Sequence, residues 1–190
     1  MDGLNLVPNG QAWTPWGLST GYDLSEEIFL SSNTTPASVA WPTANLAIYF
    51  PFYVQAPGYV QQLWWVNGAT ATGNVQVGLY DEYFNLLAST GSVAATGTSA
   101  PQAVSMPAPS QGMPGFLITT GRYFLACWAS SGSQTFIAWT TAAANTNVNR
   151  MLGIGEQVSL TTGLPVLAVP ASSARSYIPL IGINYSALTI

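Results

Sequence analysis

Short apolar runs separated by turn-forming residues dominate the chain from Leu46 onward. The runs are rich in Val, Ile, Tyr, Phe and Trp, and Gly, Pro, Asn or Asp interrupts them about every 8 to 15 residues. No helix of ordinary length fits between them, so the pattern predicts an all-β, antiparallel β-sandwich over residues 46–190. The predicted strands are Ala47–Val54, Tyr59–Val66, Asn74–Tyr80, Asn85–Ser92, Gln102–Met106, Arg122–Ala129, Thr135–Trp139 and Ser176–Tyr185.

Alternation within two of these runs predicts which side chains face the core. Val75, Val77 and Leu79 alternate with polar or small residues, which is typical of a half-buried strand. Trp64 and Trp65 are neighbours in one strand and therefore point to opposite sides of the sheet. One of them is expected in the core, and the other on the outer face, available to a partner subunit, to the N-terminal arm or to a glycan.

Residues 1–45 follow no sustained period of 2 or 3.6 and are punctuated by Pro, Gly and Ser. We predict an extended N-terminal arm here, with one or two helical turns at Tyr22–Leu30, where Asp23 and Glu26 have capping-box spacing. Exposed aromatic residues in an irregular arm are costly, so the arm is expected to lie on its own domain or on a neighbour. The tryptophans of the arm and the adjacent Trp64 and Trp65 of the predicted sandwich are the candidate interface residues. They are Trp13, Trp16, Trp41, Trp64 and Trp65.

Two stretches of the β region are predicted as loops. Pro107–Pro114 holds three prolines, which cannot donate to a β-ladder. From Thr140 to Pro170 the strand pattern weakens, and this range is expected to run over the surface.

Ionisable residues are scarce, which excludes several classes of function. Lys and Arg together number 3, Asp and Glu number 7, and there is no His. Three cations cannot neutralise a run of phosphates, so no nucleic acid is expected as a partner, and anionic membrane surfaces are excluded on the same ground. Without His or Lys, most general-base, Schiff-base and metal-site chemistry is missing, so we predict no enzyme activity, no cofactor and no metal site. Cys127, the single cysteine, lies in an apolar run, and we predict that it is buried and packs as a small hydrophobic residue.

Paired carboxylates are the one catalytic arrangement left to such a chain, as in glycosidases. The two candidate pairs are adjacent residues, Glu26/Glu27 and Asp81/Glu82, whose side chains point in different directions. We interpret them as a helix cap and a solvated turn, and Asp81, Glu82 and Asn85 as at most part of a Ca²⁺ site. A carboxylate glycosidase is retained as the third class of function.

Charged residues make up 5% of the chain, and its net charge is −4. Sparse charge favours association, because net charge and charge density keep monomers apart in solution. The composition therefore predicts a homo-oligomer, with a trimer favoured; the alternative is a monomer solubilised by its Ser, Thr, Asn and Gln residues. The polar start of the chain lacks the features of a signal peptide, and no apolar run is long enough for a membrane span, so neither export nor a membrane partner is expected.

Several stretches between residues 41 and 139 resemble virion proteins of tailed bacteriophages. They are Trp41–Val54, Leu63–Gly68, Thr72–Asp81, Leu87–Gly91 and Thr120–Ala126. The resemblance implies a jelly-roll-like sandwich on the particle surface, as a capsid decoration, head-fibre or tail-associated protein. The motifs are turns and strand edges, so they carry no functional residue with them.

The resulting hypothesis is a non-enzymatic structural subunit of a bacteriophage particle, made in the host cytoplasm and located in the virion. Its expected partners are further copies of itself and other virion proteins, either the major capsid protein or a tail protein. The alternative hypothesis is a carbohydrate-binding adhesin whose outer-face aromatics contact a host glycan.

Overall fold

A computed structural model describes residues 36–107, 115–140, 153–173 and 177–187. All the regular elements in these ranges are strands, and those that pair are antiparallel. They are β1 (Ala37–Ala40), β2 (Leu46–Val54), β3 (Gly58–Val66), β4 (Asn74–Tyr80), β5 (Leu86–Ser89), β6 (Val93–Ala94), β7 (Pro101–Ser105), β8 (Phe116–Ile118), β9 (Gly121–Ala129), β10 (Thr135–Thr140), β11 (Gly155–Gln157), β12 (Ala171–Ser172), β13 (Tyr177–Pro179) and β14 (Ile181–Ala187).

The strands form three sheets arranged in two layers. Sheet B has the order β12-β11-β2-β9-β4-β5, with β6 also on β4. Sheet A has the order β1-β10-β13, and sheet C has β14-β3-β7, with β8 also on β3. Leu180 joins sheets A and C into one layer, because its N–H donates to Ile137 O at 2.8 Å and its carbonyl accepts from Val66 N at 3.0 Å.

The main core lies between sheet B and the combined A and C layer. Alternate residues of β2, namely Leu46, Ile48, Phe50, Phe52 and Val54, are all buried in it. Matching residues of β3, β4, β9, β10, β13 and β14 face them from both layers. The fold class predicted from the sequence, an all-β sandwich, is therefore confirmed, and its jelly-roll connectivity stays a prediction.

A second apolar cluster covers the opposite, outer face of sheet B. Its buried members are Ala47, Tyr49, Tyr80, Phe124, Ala126, Trp128, Leu164 and Ala168. Residues 158–170, which we call the strap, supply Leu164 and Ala168 and run across this face. The alternation in β4 predicted a strand buried on one face, and this prediction is wrong in one respect. Both faces of that strand are buried, since the strap also covers Gln76 and Tyr80.

Pro51 stands within β2, a strand that has neighbours on both sides of sheet B. It is tolerated there because β11 pairs only with Ala47–Tyr49, which leaves that side of β2 open at Pro51. Proline is confined in sheets to positions where no ladder hydrogen bond is required of it.

A buried polar node ties together the loops at one end of the sandwich. The side chain of Asn67, fully buried, accepts hydrogen bonds from Trp65 Nε1 at 3.0 Å and from Gln134 Nε2 at 2.9 Å. Its amide nitrogen donates to Thr96 O at 2.8 Å and to Gln102 Oε1 at 3.1 Å. Asn67 therefore uses both its donors and both its acceptor positions.

The predicted strands agree closely with the structure, with informative exceptions. Asn74–Tyr80 has the predicted bounds, and most of the others differ by one or two residues at an end. The predicted Ser176–Tyr185 is in fact divided at Leu180, where the chain crosses from sheet A to sheet C. Asn67 and Gly68 follow β3, but β3 and β4 belong to opposite layers and do not form a hairpin with each other.

The predicted arm, residues 1–45, overlaps the sandwich. Strand β1 pairs along its whole length with β10, from Ala37 opposite Ala138 to Ala40 opposite Thr135. Residues 1–35, including the predicted helical turns, lie outside the described residues, as do 108–114 of the predicted proline loop and 141–152.

Candidate interaction surfaces

The structure separates the candidate tryptophans into interior and surface residues. Trp41 and Trp65 are buried in the core and cannot be contact residues on the surface, so these two assignments are corrected. Trp41 packs edge-on against Phe136 and Tyr177, and its Nε1 donates to Leu46 O at 3.2 Å. Trp13 and Trp16 lie outside the described residues.

Trp64 is the described candidate that reaches the surface. It is partly buried on the outer face of sheet C, whereas Trp65 is fully buried on the inner face. The expectation that the two neighbours point to opposite sides is confirmed. Sequence reasoning left open which of the two faced outward, because alternation alone does not give the phase of a strand relative to the core.

Asp81, one of the two adjacent carboxylates after β4, shapes the turn that follows this strand. Asp81 Oδ1 accepts from Tyr83 N at 2.9 Å and Asn85 N at 2.8 Å, and Oδ2 accepts from Asn85 Nδ2 at 2.8 Å. Desolvation is the largest single influence and raises the pKa of Asp81, but the hydrogen bonds from Asn85 and Tyr83 together outweigh it and hold the pKa below its usual value. Among the described residues, no three His, Cys, Asp or Glu side chains come together as a metal site would require.

This turn places Phe84 over the outer face of sheet B. Phe84 has a left-handed backbone, with φ 64°, and its ring stacks on Phe124 at a centroid distance of 4.2 Å. It also meets Tyr49 edge-on at 5.9 Å. The backbone of the turn pairs with the strap, since Ala168 N donates to Phe84 O and Leu86 N donates to Val166 O.

Sheet B fastens the strap through three side chains. Trp128 Nε1 donates to Leu160 O at 2.8 Å, and Tyr80 OH donates to Pro165 O at 2.6 Å. Leu164 N donates to Gln76 Oε1 at 2.9 Å. The strap is thus held at three successive points by buried or half-buried groups, and its backbone is fixed relative to the sandwich.

Large apolar side chains project outward from this fixed frame. We call them the strap ridge: Val158, Val166, Leu167 and Val169 of the strap, with Tyr83 of the adjoining turn. Val166 is 78%, Val169 76% and Tyr83 72% exposed. Val169 N donates to Gln157 Oε1, and Leu167 forms a bridge with Asn85, so the members lie close to one another along the strap. A contiguous apolar patch on a fixed backbone is a candidate interaction surface.

Among the residues that the structure describes, charge is distributed unevenly between the two layers. Within the described ranges the charged residues are Asp81, Glu82, Arg122 and Glu156, and all belong to sheet B or to the turn after β4. The guanidinium of Arg122 lies 4.9 Å from the centroid of the Phe124 ring. The described strands of sheets A and C have no charged residue.

Truncating Phe84 tests whether this ring anchors the strap. Phe84→Ala removes the stack on Phe124 and should cost about 2 kcal/mol, less than the ~3–5 kcal/mol of a fully buried Phe. Amides of residues 158–170 should exchange faster with solvent, while amides of β2 and β9 stay protected. Tyr53→Ala, an exposed aromatic on the same sheet, is the control and should leave strap exchange unchanged. Equal exchange in Phe84→Ala and the unsubstituted protein would contradict the anchoring role.

Comparison with protein-family models, with curated proteins and with solved structures finds no match to this chain. The described residues also contain no helix that could span a membrane.

Proposed function

We propose that the protein is a non-enzymatic structural subunit of a bacteriophage particle, a capsid decoration or other surface-exposed virion protein that assembles as a homo-oligomer. The observation that carries the proposal is the strap ridge, a set of exposed aliphatic and aromatic side chains on a backbone fastened to sheet B. Because the frame is already ordered, little conformational entropy is lost when a partner covers it.

The sparse charge of the chain supports assembly through apolar surface. Its charged fraction is 5%, and the strap ridge itself consists of uncharged side chains. Contacts of this kind weaken little in salt, since screening acts on charges. Three parts of the proposal rest on the resemblance of residues 41–139 to tailed-phage virion proteins. They are the bacteriophage particle, the location in the virion and the expected partner, a major capsid or tail protein.

The buried thiol is consistent with a structural role. Cys127, the single cysteine of the chain, is fully buried, and desolvation raises the pKa of its thiol. A thiol is nucleophilic as its thiolate, so this one is inert in the folded protein.

Light scattering tests the assembly. The unsubstituted protein should have a trimer's mass at micromolar concentration, against 20.0 kDa for one chain. Combining Val166→Ser, Leu167→Ser and Val169→Ser should shift it to the monomer mass, with affinity reduced at least ~100-fold, since each buried aliphatic side chain contributes about 1.5–3 kcal/mol. Leu117→Ser, an exposed aliphatic on β8 in the other layer, is the control and should leave the mass unchanged.

A monomer mass for the unsubstituted protein would contradict the homo-oligomer. Particle association is tested separately by mass spectrometry of purified virions and by rebinding of the protein to particles that lack it. Rebinding should persist in 1 M NaCl. Absence of the protein from virions would overturn the structural role, whatever the oligomeric state.

A further inference from the structure

The outer face of sheet C carries an aromatic ring that lies against the backbone of a neighbouring strand. Trp64 of β3 is paired with Gly182 of β14. A Cβ on Gly182 would lie 2.6 Å from Cε2 and 3.0 Å from Cη2 of the indole, and would overlap Cζ2. The six-membered ring therefore occupies the space above the Gly182 Cα, and Trp64 is partly exposed.

Small residues leave the ring accessible from both sides. Gly182 lies under it on one neighbouring strand, and Ala103, its pairing partner on β7, is exposed on the other. Neither can rise above the indole. The partly exposed ring is therefore flanked by small residues on both neighbouring strands.

A row of uncharged polar side chains runs beside the ring. Gln62, two residues before Trp64 and on the same face, donates from Nε2 to Ser105 Oγ at 3.4 Å. Its Oε1 accepts a hydrogen bond from Asn184 Nδ2. The row crosses three strands, and Asn184 and Ser105 are exposed. Both amides and the hydroxyl keep donor and acceptor positions that these two hydrogen bonds do not use.

We infer that this surface is a binding subsite for a neutral sugar, with a pyranose ring stacked on Trp64 and its hydroxyl groups hydrogen-bonded to the row formed by Gln62, Asn184 and Ser105. The apolar face of a pyranose presents C–H groups of partial positive charge, which the negative face of an indole attracts. Hydroxyl groups both donate and accept, as do side-chain amides.

The electrostatics of this layer select a neutral ligand. The described strands of sheets A and C carry no charge, so nothing on them would pair with a carboxylate or sulfate. A flat subsite buries little of its ligand, and we expect a Kd of about 1 mM for one sugar unit. Several copies in one assembly would raise the avidity through effective concentration. The inference depends on contacts of sheet C alone and stands independently of the proposed assembly through the strap ridge.

Titration of the full-length protein with maltohexaose, cellohexaose and chitohexaose, followed by saturation-transfer NMR, tests the subsite. At least one of the three should bind, and the binding should be unaffected by 1 M NaCl. Trp64→Ala should weaken it at least ~10-fold, and Gln62→Ala about threefold to tenfold, by loss of a hydrogen-bonding group. Tyr53→Ala, which removes an exposed aromatic from sheet B, is the matched control and should bind as the unsubstituted protein does.

Trp64→Tyr retains a flat ring and should restore most of the affinity lost in Trp64→Ala, which separates stacking from a general effect on folding. If Trp64→Ala does not fold, Gln62→Ala and Trp64→Tyr still decide the question. Failure of all three oligosaccharides to bind would overturn the inference. So would binding that Trp64→Ala leaves intact, or that Tyr53→Ala abolishes. The mass and virion experiments above are unaffected by any of these results.

Discussion

Asn67→Ala should lower the free energy of unfolding by about 3–5 kcal/mol. The substitution leaves the indole N–H of Trp65 and one of the two amide N–H groups of Gln134 without their acceptor, and both residues are fully buried. The other Gln134 N–H keeps its hydrogen bond to Thr135 O at 2.8 Å. It also removes the donor to Thr96 O and Gln102 Oε1. A buried polar group that loses its partner costs about 1–3 kcal/mol, so two such groups account for most of the loss.

Urea denaturation of the two proteins measures the effect. Asn74→Ala is the matched control, because Asn74 is an exposed asparagine at the start of β4 and its truncation should change stability by less than ~0.5 kcal/mol. A loss in Asn67→Ala no larger than in the control would mean that water replaces the missing amide.

Raising the pH from 9 to 11 should lower the free energy of unfolding by at least about 4 kcal/mol. Tyr49, Tyr80 and Tyr177 are buried, and desolvation raises the pKa of each phenol, to about 12 for Tyr49. Their hydroxyls donate to Gln157 Oε1, Pro165 O and Val39 O respectively. Each acceptor is an oxygen that would repel a phenolate.

The direction follows from proton binding. Above the ordinary pKa of 10.0, tyrosines of the unfolded chain lose protons while these three keep theirs, so the unfolded state binds fewer protons and stability falls as pH rises. Each such group contributes about 1.4 kcal/mol per pH unit, or about 4 kcal/mol for three at pH 11. The buried Cys127 thiol, whose pKa is also raised, adds to this loss of stability. Its contribution begins at a lower pH than that of the tyrosines, because the ordinary pKa of a thiol is 9.0.

Denaturation at pH 9 and pH 11, with phenolate absorbance recorded in parallel, checks this dependence. In the folded protein at pH 11, at least three of the 9 tyrosines should remain protonated. Tyr177→Phe keeps the ring against Trp41 and should reduce the tyrosine contribution by about a third. If all the tyrosines titrate near pH 10 while the β-type circular dichroism persists, this explanation of alkaline stability fails.

The strands could be predicted because their signal is local. The run Leu46–Val54 is apolar at nearly every position, which is typical of a strand buried on both faces, and β2 is indeed buried on both. What covers its outer face could not be predicted. Tyr49 contacts Phe84 and Gln157, which lie far along the chain, and no local pattern connects them.

Trp41 shows why the surface was harder to predict than the fold. Its neighbourhood lacks periodicity, so the sequence offered no strand and suggested an arm. In the structure the indole fits among Phe136, Tyr177 and the carbonyl of Leu46, all contributed by other elements. Burial of such a residue depends on long-range packing, whereas the outward position of one member of Trp64-Trp65 follows from strand geometry alone.

The pairing of early strands with late ones determines when this molecule can fold on the ribosome. Strand β3 is flanked by β14, the last strand described, and β2 by β9 and β11. While the first half of the chain emerges, β2 therefore has neither neighbour, and its apolar edges are open to other nascent chains. Non-local pairing of this kind slows folding and favours aggregation of intermediates. A chain shortened before Ile181 would keep the edge of β3 exposed, so premature termination should yield an insoluble product rather than a smaller domain.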